Sequence, residues 1–300
     1  MKREDLLREI QSLRKKVRHL SEEVKSIKAT ALEDSSSVET MLRMRGLKVF
    51  RKNPTDRLFF PPDLSPSDQT RFYETMKRYS FRLVVRDMIK YQNRFRIQDL
   101  THYCSSKVAR EYCDQLSEMK AILREGRGKY RTRLSPIYSF GPTLEWFIAE
   151  VFKREFASPS LYGVKLKKTS SGGDYDVIAA WNQRLIYVEV KSSPPKGIEV
   201  GEISTFFSRL EDLLPDVAFL FNDTQLRMKD KLVVMFEEEL EKRYGKKAKT
   251  LYPVERLVDE LFHVQNRIFI VNSKKDIADN FQICLRHYLQ YGTGTYFPRD

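Results

Sequence analysis

Two short apolar runs with charges set inside them constrain this chain most. They are DVIAAW, residues 176–181, and LIYVEVKS, residues 185–192, with Asn182-Gln183 between them. Runs of this length, rich in Val, Ile, Tyr and Trp and joined by turn residues, predict two antiparallel strands. Strand side chains alternate faces, so Glu189 and Lys191 point one way and Val188 and Val190 the other. Asp176 opens the neighbouring strand. Two carboxylates and one amine are therefore expected at one edge of a sheet. Charges in so apolar a setting are costly unless they pair or bind metal. Carboxylate oxygens suit Mg²⁺, or Mn²⁺, completed by water and phosphate. The chemistry that fits is metal-assisted phosphodiester hydrolysis, with the lysine orienting the nucleophile or opposing developing negative charge. Each residue taken alone is equally consistent with a surface ion pair of little consequence.

The surrounding pattern alternates helix and strand. Gly141-Pro142 opens a helix through Phe156, since proline suits the first helical turn. Strands are expected at Tyr162–Lys168, Asp176–Trp181, Leu185–Ser192 and Val217–Phe221, with a helix over Ile198–Leu214. Beyond them we expect helices at 228–243 and 253–265, a strand at Arg267–Val271 and a helix at Ile277–Gln290. Glu145, on the helix ahead of the strands, can reach the charged edge. Asp174 competes with Asp176, and Glu150 with Glu145. Arg209 is either a phosphate contact or an ordinary exposed arginine.

Taken together, GGDYDVIA, a short turn, LIYVEVKSS and the preceding GPTLEWFIAEVF resemble the PD-(D/E)XK nuclease superfamily, over about residues 140–224. The resemblance implies a restriction-endonuclease-like αβββαβ core, here with a further α/β extension in a domain of residues 140–300. It also implies that Asp176, Glu189 and Glu145 serve a Mg²⁺ or Mn²⁺ site and that Lys191 assists the attacking water.

Charge is unevenly placed. Residues 1–140 hold 31 Lys and Arg against 18 Asp and Glu, whereas residues 141–300 hold 23 of each, so the net +13 lies wholly in the first part. That part is the natural place to grip a polyanion. Within it, residues 68–135 read as helix, helix, helix, hairpin: Phe81–Tyr91, Gln98–Tyr103, Lys107–Lys120 and two short strands around Gly126-Arg127-Gly128. This is the order of a winged-helix-like DNA-binding domain. It sets Lys107, Arg110 and Gln115 toward a groove and Arg124, Arg127, Lys129, Arg131 and Arg133 toward phosphates.

The first thirty residues carry Leu6, Ile10, Leu13, Val17, Leu20, Val24 and Ile27 at alternating spacings of four and three. That keeps one apolar seam on a helix. β-branched residues at the a positions with mostly leucine at d favour a parallel two-stranded coil, hence a homodimer through residues 1–31. Glu33-Asp34-Ser35-Ser36-Ser37 breaks the pattern as a linker or cap, and residues 32–67 read as a linker with a short helix-like piece at Val38–Arg45, an extended piece at Leu47–Phe50 and a proline-rich end.

Other chemistries are excluded. No apolar run spans a membrane, the charged N-terminus lacks a secretory core, and three scattered cysteines make neither a disulfide framework nor a zinc site. We therefore expect a cytoplasmic protein. No phosphate-binding glycine loop is present. The favoured function is a Mg²⁺-dependent DNA endonuclease; the rival is a DNA-binding or scaffold protein on the same fold without cleavage.

Overall fold

In a computed structural model the described residues are 3–126, 128–134 and 136–292, with the side chains of 3–8, 10, 11 and 24–36 outside the description. Helix α1 spans Arg3–Met44 and is followed by strand β1, Lys48–Arg51. Next come helices α2 (Pro66–Met76) and α3 (Tyr79–Lys90), strand β2 (Phe95–Arg96), a 3₁₀ turn at Ile97–Leu100 and helix α4 (Ser106–Glu118). Strands β3 (Ile122–Arg124) and β4 (Lys129–Thr132) form a hairpin, and a small sheet runs in the order β2-β4-β3.

Helix α5 (Gly141–Glu155) then leads into β5 (Ser160–Lys167), β6 (Tyr175–Trp181) and β7 (Arg184–Lys191). Helix α6 (Val200–Leu213) and strand β8 (Val217–Asn222) follow. This is helix, three strands, helix, strand, the order expected from the sequence. Strands β5, β6 and β7 pair antiparallel and β8 joins β7 in parallel. The tight turn between β6 and β7 forms at Asn182 and Gln183, both left-handed with φ of 47° and 59°. Such a turn matches the twist of the strands it joins.

Beyond the core lie α7 (Val234–Tyr244), the short α8 (Ala248–Leu251), β9 (Val254–Val258), β10 (Leu261–Val264), β11 (Ile268–Asn272) and α9 (Ile277–His287). One mixed eight-stranded sheet results, ordered β1-β5-β6-β7-β8-β11-β10-β9. The chain is thus a mixed α/β protein. Its apolar packing is continuous between the helical unit and the sheet. Phe72, Phe81, Tyr112 and Tyr130 belong to the same buried cluster as Phe147, Phe152, Val188 and Phe219.

Three expectations need correction. The stretch 253–265 is a β-hairpin, not a helix. Its apolar residues fall at Val254, Leu257, Val258, Leu261 and Phe262, which imitates helical spacing. Yet β10 is buried on both sides, so every position in it is apolar or enclosed and the period carries no information. Second, the acidic-serine stretch after residue 32 does not break α1. Serine and aspartate cost a helix only tenths of a kcal/mol, about 0.5 each. Val38 and Leu42, one turn apart and fully buried against the sheet, hold its last turns in place. Third, the supposed linker is structural: its extended piece forms β1, which pairs with β5, and in its proline-rich end Phe59 and Phe60 are buried, Phe60 edge-on to Phe72 and Trp146.

The described part of the α1 seam is exposed. Leu13, Val17 and Leu20 are 54%, 66% and 58% exposed. The side chains of Leu6, Ile10, Val24 and Ile27 lie outside the described residues.

Candidate active site

The charged edge forms as the alternation requires. Val177 pairs with Val188, so Asp176 and Glu189 stand side by side one step toward the sheet's end. Asp176 Oδ2 accepts the Val190 N–H at 2.7 Å, which ties the carboxylate to the next strand. Glu189 is 2% exposed. Its Oε1 accepts from Lys191 Nζ at 2.9 Å and its Oε2 from an Arg209 guanidinium nitrogen at 2.7 Å, while the Tyr187 hydroxyl also donates to it. Lys191 Nζ additionally meets Glu202 Oε1 at 2.8 Å. Arg209, reaching down from α6, is also 4.0 Å from Asp176 Oδ1. Its side chain is only 11% exposed, so the reading of a plain surface arginine is wrong.

Glu145 approaches from α5. Gly163, opposite Asp176 in the sheet with φ of +54°, makes room for Pro54: a Cβ there would lie 2.8 Å from two ring carbons of Pro54, while Glu145 Oε2, 3.7 Å away, would be in ordinary contact. Both open alternatives have cationic partners. Glu150 is engaged by Lys153 at 3.0 Å and Arg154 at 2.8 Å, away from the edge. Asp174 is held by Arg57 at 3.3 Å and Lys165 at 3.1 Å. Arg57 and Pro54 come from the proline-rich segment, and nothing in its sequence signals their approach to this edge.

The electrostatics follow from crowding. Burial, then the Glu189 and Glu145 carboxylates, push Asp176 well above the usual carboxylate range. Burial, then Asp174 and Glu189, raise Glu145 from its ordinary 4.5 to about 7. Burial also pushes Glu189 upward, but Lys191, Arg209 and the Tyr187 hydroxyl outweigh it and hold Glu189 below its ordinary value. Burial acts to lower Lys191, yet Glu189 and Glu202 overcome it and keep the amine charged. Glu145 therefore has a testable signature in the metal-free protein. Its folded-state value is raised, so its stabilising contribution is full below 4.5 and fades as pH rises through about 7. The thermal midpoint in chelator is expected to fall between about pH 5 and about pH 8, and Glu145→Gln to flatten that fall.

The donor set fits a hard cation. Asp176 and Glu145 are raised by burial and by neighbouring carboxylates, and carboxylate oxygens are the ligands Mg²⁺ and Mn²⁺ prefer. Among the described residues no three His, Cys, Asp or Glu side chains stand at ligand spacing. One or two carboxylates completed by water would thus hold the ion.

The basic residues of the helical unit are placed less uniformly than their sequence suggests. Lys107 and Arg110 are exposed on the first turns of α4. Gln115 faces inward instead, its amide donating to Thr75 Oγ1 at 2.5 Å, because that side of α4 packs on α2. Arg124 pairs with Asp114, Arg131 with Glu125 at 2.8 Å and Arg133 with Asp63 at 3.6 Å. Lys129 lies half-buried in β4, and Arg127 falls outside the described residues.

Two solved structures resemble the chain at low identity. Protein VC1899 from Vibrio cholerae is 13% identical with a TM-score of 0.46, over 82% of this chain and 62% of that one. Can2 from Sulfobacillus thermosulfidooxidans, solved in complex with cyclic tetra-adenylate, is 12% identical with a TM-score of 0.43, over 84% and 61%. The chain thus spans about three-fifths of the length of each. No family model matches the sequence, and no curated protein matches it.

Proposed function

We propose that the chain is a Mg²⁺- or Mn²⁺-dependent DNA endonuclease of the PD-(D/E)XK kind. The observation that carries this reading is the edge itself: Asp176 and buried Glu189 side by side, Lys191 Nζ 2.9 Å from Glu189, and Glu145 drawn into the same field. A divalent ion held by Asp176 and Glu189, with Glu145 in support, supplies Lewis acidity toward a phosphodiester. Lys191, kept as an ammonium, orients the attacking water and opposes charge growing on the phosphate. It does not act as a base in that form. Arg209 fixes the Glu189 carboxylate and adds positive charge beside it.

Binding is assigned to the helical unit. The small β2-β4-β3 sheet, with β2 between α3 and α4 and the β3–β4 hairpin after α4, supports a winged-helix-like reading, with Lys107, Arg110 and Lys129 as phosphate or groove contacts. Arg124, Arg131 and Arg133 would contribute only by exchanging their carboxylate partners for phosphate. The exposed seam of α1 supports a parallel homodimer, which brings two sites into one particle. Deleting residues 1–31 is expected to convert a dimer to a monomer in light scattering, with the thermal midpoint of the remainder unchanged. No helix among the described residues is long and apolar enough to cross a membrane. The three cysteines are free thiols, which suits a reducing cytoplasm.

A second reading has an observation of its own. Glu189 is already saturated by Lys191, Arg209 and Tyr187, as a decayed site reused for binding would be. Supercoiled plasmid separates the two. Incubated with Mg²⁺, with Mn²⁺ and with chelator, the wild-type protein is expected to nick or linearise it only with metal, and Glu189→Ala to leave it intact. Wild-type protein that shifts the plasmid on a gel yet never cuts it would establish the binding scaffold instead.

A further inference from the structure

Along the edge of the large sheet, where β1 pairs with β5, like charges face one another. The register sets Lys48 opposite Lys167 and Arg51 opposite Lys165. Like charges directly across a strand pair repel and destabilise it. Lys168 follows with a left-handed φ of 68°, a conformation costly for a residue other than glycine. Nearby acids answer only part of this charge. Asp56 meets Arg51 at 3.2 Å and Asp174 meets Lys165 at 3.1 Å, but no ion pair among the described residues engages Lys48, Lys167 or Lys168.

Phe50 sits among these cations, 56% exposed, with Lys167 Nζ 5.9 Å from its ring centre. Val49, between Lys48 and Phe50, turns the other way and packs on the buried cluster of the sheet. An exposed ring beside amines that have no carboxylate partner among the described residues is the arrangement that stacks a base and holds the flanking phosphates. The strip also leads somewhere. Lys165 and Arg57 converge on Asp174, whose charge acts on Glu145.

We propose that the β1–β5 edge binds a single-stranded segment of nucleic acid. Its phosphates lie on Lys48, Lys167 and Lys168, one base stacks on Phe50, and the strand continues toward the carboxylate edge. The proposal deepens the nuclease reading and rests on it for the identity of the strand. Its surface is separate from α4 and the β3–β4 hairpin. The competing explanation is that edge-strand lysines merely prevent pairing with another chain.

Fluorescence anisotropy of labelled oligothymidylate, with a short duplex beside it, tests this on the full chain in chelator, where nothing is cut. Lys48→Glu/Lys167→Glu is expected to weaken oligothymidylate binding at least about tenfold, and to lower the slope of log affinity against log salt by about 1.4, two single-strand contacts' worth. Phe50→Ala is expected to weaken the oligothymidylate about tenfold and the duplex hardly at all. Lys246→Glu/Lys247→Glu, exposed elsewhere, serves as the control. The milder Lys48→Gln/Lys167→Gln guards against misfolding, since relieving repulsion should raise the thermal midpoint while binding still falls. If the charge variants bind as wild type but self-associate in light scattering, the edge is only guarded and the proposal fails. If wild type binds the duplex but not the oligothymidylate, the proposal also fails while the DNA reading stands. Binding of neither overturns both.

Discussion

Lys191→Met is expected to lower metal-dependent cleavage by about 10²–10³-fold while leaving DNA affinity within about twofold, the range seen when one preorganised charge is removed from a reacting centre. Single-turnover cleavage rates and anisotropy in chelator measure the two quantities separately. The substitution is cleaner than one at Glu189. Removing the amine leaves Glu189 held by Arg209 at 2.7 Å and by Tyr187, and returns Glu202, whose side chain is 38% exposed, to water. Removing Glu189 instead strands Lys191 and Arg209 as under-paired cations, so lost activity mixes with lost structure. Methionine keeps the volume and the apolar stem, so packing changes little. Lys191→Arg keeps the charge but places it farther out on a planar head, and is expected to recover only part of the rate. A Lys191→Met protein that cuts within about threefold of wild type would reduce the lysine to a structural partner of Glu189. The mechanism would then have to run through Arg209.

What the sequence made legible was the part governed by alternation. Strands β6 and β7 have polar residues at fixed parity inside apolar runs, so the meeting of Asp176, Glu189 and Lys191 follows from the pleat alone. The core order from α5 to β8 was legible for the same reason, because each element is short, strongly patterned and bounded by Gly, Pro or Asn. The hairpin β9–β10 was not, since its buried strand shows no alternation and its apolar spacing coincides with that of a helix. Pro54, Arg57 and Gly163 were invisible because their roles depend on a contact across more than a hundred residues of chain, between Pro54 and Gly163. Placing the polar side chains of the helical unit failed in a subtler way. Gln115, set toward a groove by its helix alone, turns inward on α2, and Arg124, Arg131 and Arg133, read as free for phosphate, have carboxylate partners. Arg82, one of the 31 basic residues of the first part, lies on α3 at 1% exposure. A sequence reports which charges exist but not which of them have already been neutralised.

Arg82 carries the largest expected effect on stability. Its guanidinium grips Asp223 in two-pronged fashion at 2.9–3.1 Å and donates to the Met76 and Lys77 carbonyls at 2.7 and 3.1 Å. The pair joins α3 to the residue after β8, and both side chains are essentially inaccessible to water. Arg82→Met leaves a carboxylate and two carbonyls buried without their donor. The expected cost is about 3–5 kcal/mol, read as a fall of roughly 10 °C in thermal midpoint. Arg82→Met/Asp223→Leu removes both charges and is expected to regain most of that loss, because an apolar pair replaces a desolvated ionic one. Cleavage should not follow stability back. The Asp223 N–H donates to the Lys191 carbonyl at 2.8 Å, and the neighbouring Asn222 amide spans the Lys191 and Ser193 carbonyls at 3.2 and 2.7 Å. Arg82 thus holds the residue that holds the backbone of the proposed catalytic lysine. A double variant restored in midpoint but still slow in single-turnover cleavage would identify the ion pair as a positioning device between the helical unit and the site. Full recovery of both would reduce it to a structural tie.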